Sequence, residues 1–339
     1  MRKTLALLLF SSQLVFPATA SSVEVPGGKS ALGSNRVLTL AIGSGARAPF
    51  CSMAMITDVI VVTAAHCLAK NKTDDGSLWN PLETLYVTQP GVDVKTDDVS
   101  TRVKVKRVFF PVKYEAFFDS SIGDLRGAQN DIVFLFLEKP LVPGYTIPVA
   151  SESEFKLIQT SGFLVDHFGY GLQNENGADG KPYTLSSTTR VRKYAFEQDS
   201  TQLISGDYGF PSVCGGDSGG PVYGTFNGVY KLIAVVNGGG GCFPKRGPTS
   251  GAYSRAIYPY WESALNEWKK VEVAEKAVAE KAAAEKAAAE KAVAEKAAAE
   301  KVSTKRVSKD ISITCLKGKS SLKVIGKKPI CPVGYRKKA

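Results

Sequence analysis

Cys214-Gly215-Gly216-Asp217-Ser218-Gly219-Gly220-Pro221 sets one serine among four glycines and a carboxylate. Glycines lack the Cβ that forbids sharp turns and close approach to a bound molecule. A Gly-Asp-Ser-Gly quartet is also what an ordinary turn looks like, so the run gains meaning only from what the rest of the chain supplies. Hydrolysis by a serine hydroxyl needs an imidazole to take and return its proton and a carboxylate to hold that imidazole. It also needs paired backbone donors for the oxyanion.

The chain has two histidines, which makes the base nearly a two-way choice. His66 lies in Val62-Thr63-Ala64-Ala65-His66-Cys67. His167 precedes Phe168-Gly169-Tyr170-Gly171, which reads as a strand and turn carrying a structural or surface imidazole. The orienting acid should head an apolar strand, where its carboxylate is desolvated beside the ring. Asn130-Asp131-Ile132-Val133-Phe134-Leu135-Phe136-Leu137 has that form, although an aspartate capping a strand reads the same way by itself.

Outward from these motifs, Val23 to about Tyr258 is a series of short β-branched and aromatic runs, such as 59–63, 103–110, 132–137 and 232–236. Gly, Pro and Asn clusters separate them. This is an all-β pattern. Two halves of roughly a hundred residues each fit a sandwich or a pair of barrels, and periodicity does not choose between them.

The motifs choose. The run around Ser218 resembles the nucleophile loop of the trypsin and chymotrypsin family. Val62 to Cys67 resembles its histidine motif, with Cys51 upstream at the spacing of the family's barrel-closing disulfide. The chain order His66, Asp131, Ser218 is that of the chymotrypsin class and not of subtilisin or the α/β-hydrolases. The resemblance covers about residues 25 to 268. It implies two six-stranded antiparallel Greek-key β-barrels, with His66, Asp131 and Ser218 as a triad in the cleft between them. The N–H groups of Gly216 and Ser218 would form the oxyanion hole. Substrates would be proteins or peptides, with no cofactor, and no CxxC or His-rich cluster suggests a metal.

Family precursors are cut before an Ile-Val-Gly-Gly-like start, and the new amino group pairs with the aspartate preceding the serine, here Asp217. This chain offers Val25-Pro26-Gly27-Gly28, so a cut after Glu24 is expected, with Pro26 as a departure. Counting back from Ser218, the floor of the specificity pocket falls on Ser212, beside Val213, with no acid to hold Arg or Lys. Gly239 and Gly251 match positions where glycine leaves the pocket open, which implies cleavage after large apolar or aromatic residues. The family's Ser-Trp-Gly wall appears here as Asn237-Gly238-Gly239, which removes an indole and a hydroxyl that supports the triad carboxylate. Asn237 is a candidate replacement donor. Asn71-Lys72-Thr73 is a glycosylation sequon and Asp74-Asp75 follows it; a solvated loop is the reading adopted for both.

The first twenty residues run from Arg2 and Lys3 through an apolar stretch to Ala18-Thr19-Ala20, the pattern of a signal peptide removed before Ser21. Ser11, Ser12, Gln13 and Pro17 interrupt the stretch, which is short for a membrane span of about 20 residues. Export places the chain where disulfides persist. Its six cysteines form three local pairs, Cys51 with Cys67, Cys214 with Cys242 and Cys315 with Cys331, one of about 15 possible arrangements.

After Pro259, Trp261, Leu265 and Trp268 fall at helical spacing and close the 21–268 domain. Residues 269–301 repeat Glu-Lys every five residues among Ala and Val, all but Val strong helix formers. A five-residue repeat sustains no heptad seam, so this is a semi-rigid helical spacer and not a coiled coil. Within 302–339, residues 311–315 and 321–325 read as strands turning at Gly318, with Cys315 and Cys331 as a staple. The segment resembles short basic modules at the ends of some exported actinobacterial proteins.

From Lys301 onward there are twelve Lys or Arg against Asp310 alone, which accounts for the whole chain's net charge of +11. A basic tail on a helical rod suits a secreted enzyme tethered to an anionic cell-wall polymer or membrane surface. Nucleic acid is not expected, since Tyr335 is the tail's one aromatic, and the enzyme is expected to act as a monomer. The rival reading is a catalytically silent protease-like binding module.

Overall fold

A computed structural model describes residues 28–42, 51–70, 77–114, 130–160, 162–173, 178–190, 200–206, 213–239, 251–307 and 310–339. The leader, Val25, the loop at 71–75, Ser212 and Cys242 lie outside them. The chain divides into two compact units, Met1–Trp268 and Lys269–Ala339.

The first unit opens with the short strand β1 (Lys29–Ser30). Then β2 (Leu38–Ile42), β3 (Ser52–Met55), β4 (Ile60–Thr63), β5 (Leu85–Val87), β6 (Val103–Phe109) and β7 (Val133–Leu137) close into a barrel in the order β2-β3-β4-β7-β6-β5. Alternation along β7 explains how it is buried on both sides. Val133, Leu135 and Leu137 point into the barrel core with Leu38, Met53 and Val61. Phe134 and Phe136, one residue out of phase, lie on the other face. They meet Trp261 and Trp268, with ring centroids 6.3 and 5.4 Å apart. These two tryptophans belong to the helix that closes the unit. A strand covered on both faces reads as the continuous apolar run seen in the sequence.

The second half comprises α1 (Glu152–Ile158), β8 (Leu164–Gly169), β9 (Tyr183–Thr188), β10 (Gln202–Ser205), β11 (Pro221–Phe226), β12 (Val229–Gly239) and β13 (Ala252–Ala256). Its described strands form one antiparallel sheet, β1-β9-β8-β11-β12-β13-β10. The expected second six-stranded barrel is thus a seven-stranded, curled half-barrel among the described residues. The added strand is β1, paired to β9 at Ser30↔Tyr183. The far edge returns toward β9 through the bridge Thr189↔Ser205 and the bond from Gly206 N to Thr188 O at 2.8 Å. Helix α1 was not foreseen, yet it starts on a full capping box, Ser151 with Glu154, and buries Phe155 and Ile158.

Helix α2 (Tyr258–Val307) spans 50 residues, somewhat more than the 260–301 expected. Pro259 is tolerated in its first turn, where no amide donor is needed. Ala264 is fully buried, whereas Val273, Val278 and Val293 are exposed, as a five-residue repeat without a constant face requires. In the second unit β14 (Ile311–Lys317), β15 (Ser320–Gly326) and β16 (Arg336–Lys337) form a sheet ordered β15-β14-β16. Gly318 turns the hairpin at φ 60°, and Cys315 is bonded to Cys331.

Candidate active site

Asp131 sits two residues before β7 and is completely buried. The preceding residue, Asn130, adopts φ 56°, a left-handed conformation that asparagine tolerates better than most residues. Its amide is held at both ends: Nδ2 donates to Lys113 O at 2.9 Å, and Oδ1 accepts from the Tyr260 hydroxyl at 3.0 Å. The turn aims the Asp131 carboxylate at His66, which follows β4 in a short 3-10 turn. Oδ2 lies 2.7 Å from His66 Nδ1, and Oδ1 accepts the main-chain N–H of His66 at 2.9 Å. Two contacts to one residue fix the ring plane as well as its position. Burial pulls the His66 pKa down, but the Asp131 charge and hydrogen bond outweigh it and leave the pKa raised above 6.5.

The Ser218 loop of the second half is bonded to the first barrel close to His66. Ser52 N donates to Ser218 O at 2.8 Å, and Ser52 Oγ donates to Gly216 O at 2.9 Å while accepting Tyr170 N at 2.9 Å. One β3 serine therefore joins the first barrel to two segments of the second sheet. The sulfur of Cys67, next to His66, is 3.8 Å from Ser218 O. Gly216 has φ 98°, and a side chain there would come within 2.9 Å of the Gly171 Cα. Gly219 N is bonded to Val236 O and Gly220 N to Asp217 O. Among the described residues the N–H groups of Gly216 and Ser218 have no main-chain acceptor.

Asp217 is 1% exposed. Its carboxylate accepts Gly171 N at 2.8 Å, Cys214 N at 2.7 Å and the Tyr183 hydroxyl. Burial raises its pKa to about 6, against the opposing pull of these hydrogen bonds.

The trypsin family model matches residues 25–260, and rat (Rattus norvegicus) chymotrypsin-C is 25% identical over 229 residues, covering 64% of this chain and 76% of its own. The chain belongs to the trypsin family. It is a trypsin-like serine endopeptidase, and its substrates are proteins or peptides.

Residues predicted for the substrate pocket of this trypsin-family enzyme come together in part. A side chain built at Gly239 would stand 2.8 Å from Val213 Cγ2 and 3.3 Å from Gly251 O, so these three residues share one wall. Gly251 itself has φ 80° and Gly238 faces open space. Asn237 is buried, its side-chain oxygen has no hydrogen-bond partner, and it makes no hydrogen bond to Asp131 among the described residues. Among the described residues Asp131 is bonded by His66 instead, and no donor from position 237 reaches it.

Cys51 is bonded to Cys67, which brings both sulfurs beside His66 with no thiolate to offer a metal. Cys214 is also disulfide-bonded. His167, the other histidine, is buried in β8 with Nε2 2.7 Å from Ser205 Oγ and 3.0 Å from Ser187 Oγ. Desolvation lowers its pKa to about 4, so it is a neutral structural ring. The disulfides and the domain fit an extracellular protease, and no helix among the described residues is long and apolar enough to cross a membrane.

Sequence reasoning missed Ser52, Tyr183 and the structural part of Asn130. Asn130 carried a signal, since an asparagine beside the acid favours a left-handed turn. Ser52 and Tyr183 carried none.

Proposed function

We propose that His66, Asp131 and Ser218 form the catalytic triad of this serine endopeptidase. The observation that carries the reading is the buried Asp131 carboxylate gripping His66 at both Nδ1 and the main-chain amide. That grip keeps the Nδ1 proton on the carboxylate side and the Nε2 lone pair free for the nucleophile.

His66 Nε2 takes the proton of Ser218 Oγ as the oxygen bonds to the scissile carbonyl carbon. The carbonyl oxygen becomes an oxyanion and receives the N–H groups of Gly216 and Ser218. Collapse of the tetrahedral species breaks the C–N bond, and imidazolium returns its proton to the departing amine. Water then repeats the sequence on the acyl-enzyme, with His66 again as base, and releases the acid and Ser218 Oγ–H.

Large apolar or aromatic side chains are the proposed P1 group. Val213, Gly239 and Gly251 offer an uncharged wall, and Ser212 in the sequence supplies no acid for the floor. Residues 1–20 are proposed as a leader removed on secretion, 21–268 as the protease, 269–301 as the spacer and 302–339 as the basic module. The module's excess of Lys and Arg supports a tether to an anionic wall polymer or membrane surface.

The test is labelling of the secreted protein with a fluorophosphonate, which reacts with an activated serine. Labelling that disappears in both Ser218→Ala and His66→Ala is the expected result. An unlabelled mature wild type would transfer the reading to a silent binding module. A peptide-library digest showing a strong preference for Arg or Lys would overturn the P1 assignment. Release from walls by moderate salt, unchanged in a chain lacking 302–339, would overturn the tether.

A further inference from the structure

A trans peptide sends its C=O and its N–H to opposite sides, so whatever holds the carbonyl aims the amide. The peptide units from Gly215 to Gly219 are each held in this way. Gly215 O accepts Leu172 N at 2.9 Å, Gly216 O accepts Ser52 Oγ at 2.9 Å, Asp217 O accepts Gly220 N at 2.8 Å and Ser218 O accepts Ser52 N at 2.8 Å. The first and third of these units carry the N–H groups of Gly216 and Ser218, the proposed oxyanion donors. The second is held at its carbonyl by a side chain.

Gly216 joins the first two units. Its φ of 98° and its glycine neighbour give it a backbone freedom that a donor aimed at a reacting oxygen has to lose. The Ser52 hydroxyl restrains it from both sides. Its proton goes to Gly216 O, and its lone pair takes Tyr170 N at 2.9 Å, two residues before the Leu172 whose N–H holds Gly215 O. One hydroxyl thus grips the unit after Gly216 directly, and it grips the segment that holds the unit before it. Ser52 is itself fixed, being fully buried with its own O accepting Thr63 Oγ1 at 2.8 Å. The loop packs so closely on it that a side chain at Gly219 would come within 2.4 Å of Ser52 O, and one at Gly220 within 3.1 Å of Ser52 Cβ.

We infer that the Ser52 hydroxyl is a positioning group for the oxyanion hole: from the first barrel it locks the Gly216 amide of the second half in the orientation that receives the acyl oxygen. The inference rests on Ser218 being the nucleophile and on Gly216 N–H being one of the oxyanion donors. Such a group matters as charge develops on the carbonyl oxygen and leaves ground-state binding nearly unchanged.

The experiment uses the mature secreted protein as wild type, Ser52→Ala, Ser52→Thr and Thr39→Val. Thr39 is the control, a buried hydroxyl of the same barrel that donates to Cys51 O at 2.6 Å and not to the Ser218 loop. Hydrolysis of a peptide anilide gives kcat and KM, and denaturant midpoints give stability. A peptidyl aldehyde, whose adduct with the serine places an oxyanion in the hole, gives Ki. The expected result is that Ser52→Ala lowers kcat about tenfold or more with KM within about threefold, while Ki rises by the factor that kcat/KM falls. Thr39→Val loses stability comparably and keeps kcat within about twofold. Ser52→Thr, which retains the hydroxyl, keeps kcat within about threefold of wild type.

A Ser52→Ala enzyme with kcat and Ki within about twofold of wild type would overturn the inference while leaving Ser218 as nucleophile. So would a kcat loss in Thr39→Val as large as that in Ser52→Ala, because seam stability would then account for both. If Ser52→Ala does not fold, Ser52→Cys, close to serine in volume but a weaker donor, is read in the same way. Wild type that neither takes a fluorophosphonate nor binds the aldehyde would instead remove the reading of Ser218 on which the inference stands.

Discussion

Each half of the protease holds one fully buried aspartate near the cleft, and the two are neutralised differently. Asp131 faces an imidazole, which it grips twice and whose pKa it raises. Among the described residues Asp217 faces a phenol and two amides, and burial raises its own pKa to about 6. In the proposed mechanism the first arrangement couples a charge to a proton that moves during catalysis. The second holds a loop in shape through a phenol and two main-chain amides. Burial alone therefore does not distinguish a catalytic carboxylate from a structural one; the partner does.

The sharpest way to break this contrast is Asp131→Asn, which keeps the shape but presents an amide to Nδ1. It should lower kcat by about 10⁴, measured on a chromogenic peptide with the fold verified by circular dichroism. A loss of tenfold or less would mean that Asp131 does not orient the base. The wild-type acid limb of kcat/KM should inflect above pH 6.5, because neutral His66 is required and its pKa is raised.

Asp217 should instead declare itself in stability. Its folded pKa of about 6 exceeds the ordinary 3.8. Between those values the folded state holds a proton that the unfolded chain has lost, so stability falls as pH rises through the window and levels off above it. Relative to Asp217→Asn, the wild type should lose about 2 kcal/mol between pH 4 and 7, read from denaturant midpoints. A flat difference would mean that the carboxylate stays ionised throughout.

Ser52 ties the two halves together, and Ser52→Ala leaves Gly216 O and Tyr170 N without that partner. A cost of about 1–3 kcal/mol is expected in chemical denaturation, with kcat lowered further than KM is raised. At the small end, Val293→Ala on the exposed face of α2 should change stability by less than about 0.5 kcal/mol and leave kcat/KM untouched.

The parts legible in advance were those that local chemistry dictates. His66 and Ser218 stood out because their neighbours are unusual, and Asp131 because an acid headed an apolar strand. The strands at 103–109 and 133–137 followed from β-branched and aromatic runs. Helix α1 carries a capping box at Ser151 and Glu154, but its seven residues are too few for a helical period to stand out from the strand-like runs around it.

The sequence by itself determined the chemistry available: one serine in a flexible-backbone loop, two candidate bases, a strand-heading acid, an Ala-Glu-Lys helix and a concentrated basic tail. These are properties of neighbours along the chain, where spacing and residue type act directly. Only the tertiary structure decided that Ser52 closes the seam from 164 positions away and that Tyr183, 34 positions before Asp217, caps its carboxylate. It likewise left the Asn237 oxygen buried and unpartnered. Hydrogen bonds between distant residues depend on which strands pair and in which register, and a serine or tyrosine in a strand looks the same in sequence whether it faces solvent or a buried carboxylate.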